Sequence, residues 1–310
     1  MRNVLAGVLG AVVLAAPLAA TAQRGPVVQL STVDGRIEKI SPHVHMIAAW
    51  PNAGFVVGET GVLVIDTGLG YDNGAAMARA AARLATNGQK IYLVTTHYHT
   101  EHAGGQNAFP APATVVRART QQAELETDGP GVVKMFASRN DEFARLLTPP
   151  QDTRADILFD GEYRLDLGGG VIARLVNLPG GHTMGDTVIL AEPDGVLFAG
   201  DLVESLRTPS VGCTRCSPRQ WIAALDEIAK MGPRIIVPTH GPAPVDPSFI
   251  AAMRGFLVDQ DTRAAALKAQ GRTAAEATAA ILAEFKTRYP NWTGIENLNI
   301  SAPKAYAEAP

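Results

Sequence analysis

The sequence predicts an α/β protein built in layers, with strands in the middle and helices outside. Three observations carry that prediction. Short β-branched or apolar runs recur along the chain, Ala-rich or amphipathic stretches fall between them, and no segment of linker composition divides residues 23–310. Hydrophobic residues make up 46% of the 310 and charged residues 18%, so the chain can fill a large core and is too apolar to stay disordered. A formal net charge of −3 provides no basic field for gripping nucleic-acid phosphates. Two Cys are too few for a fold stapled by disulfides.

Residues 1–22 read as a secretory signal peptide. Arg2 is the one charge, an apolar run covers residues 4–16, Pro17 breaks it, and Ala20, Thr21 and Ala22 form a small-residue cleavage pattern. The run is shorter than the about 20 residues a spanning helix needs. Cleavage before Gln23, delivery to a bacterial periplasm and no later membrane insertion are therefore expected, with residues 23–310 as the mature domain.

Within that domain, residues 44–47, 54–58 and 62–65 are expected strands, short, apolar and separated by turn-forming residues. Residues 74–84 are helical by their Ala content, and residues 91–96 form a buried strand by length and β-branched content. A strand-to-helix passage follows over residues 115–147. Residues 157–198 turn to short strands joined by Gly-rich or Pro-Asp-Gly turns. Gly168, Gly169 and Gly170 form one of these turns and not a phosphate cradle, because strand residues follow them. Residues 218–231 form an amphipathic helix: Ser217 caps it, Pro218 takes its first position, and Trp221, Ile222, Leu225 and Ile228 share a stripe. Gly232 and Pro233 stop it, residues 234–237 make the next strand, and two Ala-rich helices fill residues 247–286.

The strongest chemical signal lies in residues 96–105, where His97, His99, Glu101 and His102 directly follow a buried strand. His97 and His99, two apart, can point the same way from an extended strand end. Glu101 and His102 then fall on a first turn, and Gly104 and Gly105 let the backbone bend beside them. Imidazole nitrogens and carboxylate oxygens suit Zn²⁺. Downstream, His182, Asp201 and His240 each close a strand-like run. Singly each is an ordinary turn residue. Together they have the placement that a site built from several loops at one sheet edge requires.

On these residues, and on Asp66 within residues 64–68, the sequence resembles the metallo-β-lactamase superfamily over most of the mature chain. The resemblance implies an αββα sandwich of two mixed sheets flanked by helices. It implies a first Zn²⁺ on His97, His99 and His182, a second among Glu101, His102 and His240, Asp201 bridging both, and Asp66 orienting ligands. It further implies a hydrolase that attacks with a metal-bound hydroxide. Glu101 and Asp201 would be catalytic, Glu101 by holding the hydroxide and helping to deliver a proton to the leaving group.

Two departures bear on function. The superfamily usually has Asp where this chain has Glu101, and the extra methylene predicts a second site that is weakened, shifted or filled by another metal. Asp201 stands where one β-lactamase group has Cys, and Glu204 stands where that group has a Lys that grips the substrate carboxylate; the nearest cation is Arg207. The expected function is a zinc-dependent hydrolase of a cyclic amide or ester bond in a small-molecule substrate, with β-lactams, lactones and thioesters as open classes. A metal-binding accessory protein of a periplasmic oxidation system, without efficient catalysis, is the reading from a different class. Oligomeric state is left open.

Weaker features complete the reading. Cys213 and Cys216 form a CxxC, a small structural disulfide in an oxidising compartment or, alternatively, a redox pair. His43 and His45 are expected to face solvent. Trp50 either flanks the site or packs at an edge, and Trp292 and Tyr306 pin the C-terminal tail.

Overall fold

The computed structural model describes residues 28–33, 36–110, 112–148 and 150–310, and the leader expected at residues 1–22 lies outside them. A first sheet holds β1 (Glu38–Lys39), β2 (Val44–Ile47), β3 (Ala53–Val57), β4 (Gly61–Ile65), β5 (Lys90–Val94), β6 (Thr114–Ala118) and β7 (Ile157–Phe159), neighbours in chain order. Its first four strands pair antiparallel and β4 to β7 pair parallel. The second sheet holds β8 (Glu162–Asp166), β9 (Ile172–Asn177), β10 (Thr187–Glu192), β11 (Val196–Gly200) and β12 (Ile235–Pro238), likewise in chain order. All its pairs are antiparallel except β11 with β12.

Both faces of each sheet are covered, so the central strands are apolar at every position instead of alternating. In β4, Leu63 and Ile65 enter the core between the sheets, while Val62 and Val64 face α1 (Gly70–Leu84) through Met77, Ala80 and Ala81. In β10, Ile189 and Ala191 point to the same inter-sheet core, and Val188 and Leu190 point outward to the opposite helical layer. Burying each such Val, Leu or Ile contributes about 1.5–3 kcal/mol. The sheets approach closely where Gly54 meets Phe198: a Cβ there would lie 2.1 Å from the ring, so no larger residue fits.

The helices flank these sheets. After α2 (Thr100–Ala103), three helices, α3 (Arg119–Thr127), α4 (Gly129–Ala137) and α5 (Asp141–Leu146), occupy what the sequence shows as one passage. The next helix, α6 (Pro218–Lys230), starts where expected, with the Gln220 backbone N–H donating to Ser217 Oγ at 3.2 Å. Trp221, Leu225 and Ile228 are buried, with Ala224 beside them, whereas Ile222 sits at the stripe's edge and is half-buried. Then α7 (Ser248–Ala269) and α8 (Ala274–Arg288) supply the two Ala-rich helices, and α9 (Leu298–Glu308) packs against both. Nothing in the sequence reading anticipated α9, whose buried face of Ser301, Ala302 and Ala305 has no large apolar stripe and whose interior holds Pro303. Trp292 stacks on Phe256 at 4.5 Å and the Tyr306 hydroxyl donates to the Arg272 carbonyl at 2.6 Å, so both anchor the C-terminal segment. Among the described residues no helix is long and apolar enough to cross a membrane.

His43, expected to face solvent, instead sets Nδ1 2.7 Å from Asp194 Oδ1 and ties β2 to the β10–β11 turn. The lesson of this fold for function lies in the strand ends. Ile65 pairs with Val94 and Gly200 with Pro238, so the segments leaving β4, β5, β11 and β12 emerge along one edge.

Candidate metal centre

Asp66 follows β4 with φ of 62°, a left-handed backbone rare for a residue with a Cβ. That turn aims its carboxylate at the segment leaving β5. The Thr96 N–H donates to Oδ1 at 2.7 Å, and His102 Nδ1 lies 3.0 Å from Oδ2. Asp66 thus orients the His102 ring as a carboxylate behind a ligand does. The helix α2 is a single turn, and it carries Glu101 and His102, both buried, back toward His97 and His99.

The chain brings all seven sequence-identified donors together. His97 Nε2 and His182 Nε2 lie 3.0 and 3.1 Å from His99 Nδ1. His182 comes from the Gly-rich turn after β9, and its Nδ1 lies 2.8 Å from the Ser210 carbonyl. A carbonyl only accepts, so Nδ1 carries a proton and Nε2 is the nitrogen turned toward the cluster. It faces Asp201 Oδ2 at 3.4 Å. On the other side, Asp201 Oδ1 is 3.6 Å from His102 Nε2 and 3.5 Å from His240 Nε2, and it accepts from Thr239 Oγ1 at 2.6 Å. Electron-donor atoms gathered this closely in a buried space call for positive charge among them, which a bound cation supplies.

Four groups have donor atoms within 4.8 Å of one another: His97–His99–His182, His97–His102–Asp201, Glu101–His102–His240 and Asp201–Glu204–His240. Glu101 Oε2 and His102 Nε2 are buried with no hydrogen-bond partner in the protein. Orphaned donors of this chemistry fit divalent cations. Glu204, which the sequence marks only as a departure from a family pattern, joins the cluster.

Burial dominates the electrostatics. It pushes the His97 and His99 imidazoles well below the usual range, neighbouring imidazoles adding to the effect, and it pushes His240 down to about 3 although Asp201 opposes it. His102 goes the other way: burial opposes its charge, but Asp66, with Asp201 and Glu101 beyond, carries it up to about 9. For Asp201, burial is outweighed by the surrounding imidazoles, His240 and His182 first, and the carboxyl is held well below the usual carboxylate range. Burial raises Glu101, and it raises Glu204 to about 8 despite Arg207 at 2.8 Å.

One prediction follows from His102. Its raised value means that the metal-free protein holds a proton on this ring at neutral pH, and a cation must displace that proton. Metal uptake at pH 7 is expected to release about one proton from His102, and affinity to tighten as pH rises toward 9. Calorimetry in buffers of different ionisation enthalpy measures this release; buffer-independent heats would refute it.

His99, Glu101, His182, Asp201 and His240 line a cavity of about 410 Å³. Trp50, 5.5 Å from His240, stands at its rim, as one of the two sequence readings had it. Val132, Met135, Phe136 and Arg139, on α4 and just after it, form a wall that the sequence reading did not identify. Cys213 lines the cavity and is disulfide-bonded to Cys216.

A two-sheet sandwich with helices outside, carrying a cage of imidazole and carboxylate donors along its strand ends, defines a metallohydrolase-type protein. The chain belongs to the metallo-β-lactamase superfamily, whose family model matches residues 51–240. Among solved structures, the metallo-β-lactamase from Pontibacter korlensis is similar at 21% identity and a TM-score of 0.56, over 72% of this chain and 98% of that one. The stereoselective inverting sec-alkylsulfatase Pisa1 from Pseudomonas sp. is similar at 19% identity and a TM-score of 0.61, over 78% of this chain and 44% of that one. At such identities the likeness speaks for the fold alone. A comparison with curated proteins found no match.

Proposed function

We propose that the protein is a zinc-dependent hydrolase of the periplasm that cleaves a cyclic amide or ester bond in a small molecule, β-lactams included. The observation that carries the reading is Asp201, whose two oxygens face imidazole nitrogens from three separate loops at 3.4–3.6 Å. A carboxylate so placed serves two adjacent cation positions. His97, His99 and His182 would hold one, Glu101, His102 and His240 the other. Cations there would acidify a water and polarise the scissile carbonyl.

The chain's own groups do the rest. Glu101 keeps Oε2 unpaired and buried, which leaves that oxygen free to help position the attacking water and deliver a proton to the leaving group. Asp66 and Ser210 fix the ring orientations of His102 and His182, so little reorganisation remains when substrate arrives. Trp50, Val132 and Phe136 give the cavity wall an apolar stretch against which a substrate can pack. The Cys213–Cys216 disulfide supports the oxidising compartment.

Arg139 is the cation of the cavity wall that makes no ion pair among the described residues; its guanidinium lies 3.7 Å from the Phe136 ring centre. Arg139→Ala is expected to raise KM about tenfold for a carboxylate-bearing substrate, leaving kcat unchanged, because it removes binding that is uniform along the reaction. A neutral ester serves as control, and equal effects on both substrates would contradict the assignment. Arg207, by contrast, is paired with Glu204 at 2.8 Å, which leaves it less charge to offer a carboxylate and favours a lactonase or thioesterase as the second reading.

Turnover of a chromogenic cephalosporin, a homoserine-lactone panel and a thioester panel, with zinc supplied and then chelated, tests the proposal. Chelator-sensitive hydrolysis supports it. Undiminished turnover by stripped protein refutes it, and silence on every panel at full metal loading would favour a metal-binding accessory role.

A further inference from the structure

Glu204 lies three residues beyond Asp201, in the turn that leaves β11, and is only 4% exposed. A carboxylate that is to be ionised at that depth needs compensating charge. Arg207 provides part of it, with Nη1 2.8 Å from Oε1. The rest of the surroundings are themselves electron donors. A donor atom of Glu204 lies within 4.8 Å of donor atoms of Asp201 and His240, and His240 is equally close to Glu101 and His102. Two of these neighbours, Glu101 Oε2 and His102 Nε2, are buried and have no protein partner. His240 is common to both groups, so Glu204 stands beside the donors that a second cation would use.

The two cation positions also differ in chemistry. His97, His99 and His182 make the first nitrogen-rich, with Asp201 beside them. Around His240, which would serve the second, Glu101 and His102 gather in one group and Asp201 and Glu204 in another, so carboxylates outnumber the imidazoles there. Oxygen donors favour harder ions, while imidazole suits zinc.

Resting on the two-cation reading above, we propose that Glu204 is a direct oxygen donor to the second cation, with Arg207 fixing its other oxygen. The second position is then oxygen-rich and accepts Mn²⁺ when zinc fills the first. This also gives the longer Glu101 a place, since a site with an additional carboxylate is wider than one built around a shorter Asp.

The decisive measurement is a crystal structure of the wild-type protein loaded with one equivalent of zinc and soaked with Mn²⁺, the two metals separated by anomalous scattering. A Glu204 oxygen about 2.0–2.4 Å from a manganous ion is expected. A Glu204 that stays more than about 3 Å from the ion, bonded only to Arg207, overturns the inference. In solution, Mn²⁺ titration followed by electron paramagnetic resonance should show Glu204→Gln weakening the second equivalent at least tenfold while the first equivalent of zinc binds as before. A variant that binds Mn²⁺ like wild type also overturns it. Should Glu204→Gln fail to fold, the wild-type crystal decides alone. Failure of the chain to bind any cation would bring down the functional proposal too, whereas two bound ions with Glu204 outside their coordination would bring down this inference only.

Discussion

Replacing Asp201 by Ala is expected to lower hydrolysis by roughly 10³-fold or more, since several kcal/mol of transition-state stabilisation are lost at 1.36 kcal/mol per tenfold. The expectation comes from its position. Its two oxygens face His182 on one side and His102 and His240 on the other, and Thr239 holds the carboxylate in place at 2.6 Å. Removing it separates the two donor groups and leaves the imidazoles with no shared counter-charge. On the proposed two-cation reading, metal content should fall with activity, because each cation position would lose an anionic oxygen at once. Mass spectrometry of bound metal beside turnover checks this. A variant that keeps two equivalents and wild-type rates would remove Asp201 from the centre of the site.

The second large effect is on stability. Trp221→Ala is expected to destabilise the protein by about 3–5 kcal/mol, the range for deleting a buried aromatic ring. Trp221 is 1% exposed and fills the layer between the second sheet and α6, α7, with Leu197, Leu225 and Met253 in the same cluster. Its Nε1–H donates to the Leu202 carbonyl at 2.9 Å, so truncation also orphans a buried acceptor. Leu202 is the neighbour of Asp201, and the Trp221 ring lies 6.0 Å from that of His182. Metal affinity should therefore weaken along with stability. Trp221→Phe separates the contributions, because it keeps most of the ring volume and loses the hydrogen bond. Denaturant unfolding measures both; a loss below about 1 kcal/mol for the Ala variant would mean that this layer is not tightly packed.

The site was legible in the sequence because its donors crowd into one short segment and then recur at strand ends. Imidazoles and carboxylates are costly to bury, so four of them within residues 97–102, following an apolar strand, announce themselves without any structure. The helix at Pro218 was equally plain, since cap, proline and apolar stripe agree locally. What escaped was non-local. Glu204 carries no signal in its own neighbourhood, and only the turn after β11 brings it beside His240. The α4 wall escaped because Met135 and Phe136 belong to a short helix whose pattern could as well serve a core. The helix α9 escaped because small residues pack it, and small residues give no periodic apolar signal.

Residue type and order alone therefore determined the layered α/β class, the kind of ligand atoms and their placement at strand ends, because these depend on polarity and on spacing within a few residues. Only the tertiary structure decided which nitrogen of each ring faces the cage, that Asp66 turns His102, that Ser210 sets the tautomer of His182, and that Glu204 stands with Asp201 and His240. Those choices rest on hydrogen bonds and packing between segments 28 to 83 residues apart in the chain, and such distances are closed by the pairing of whole strands, not by any local preference.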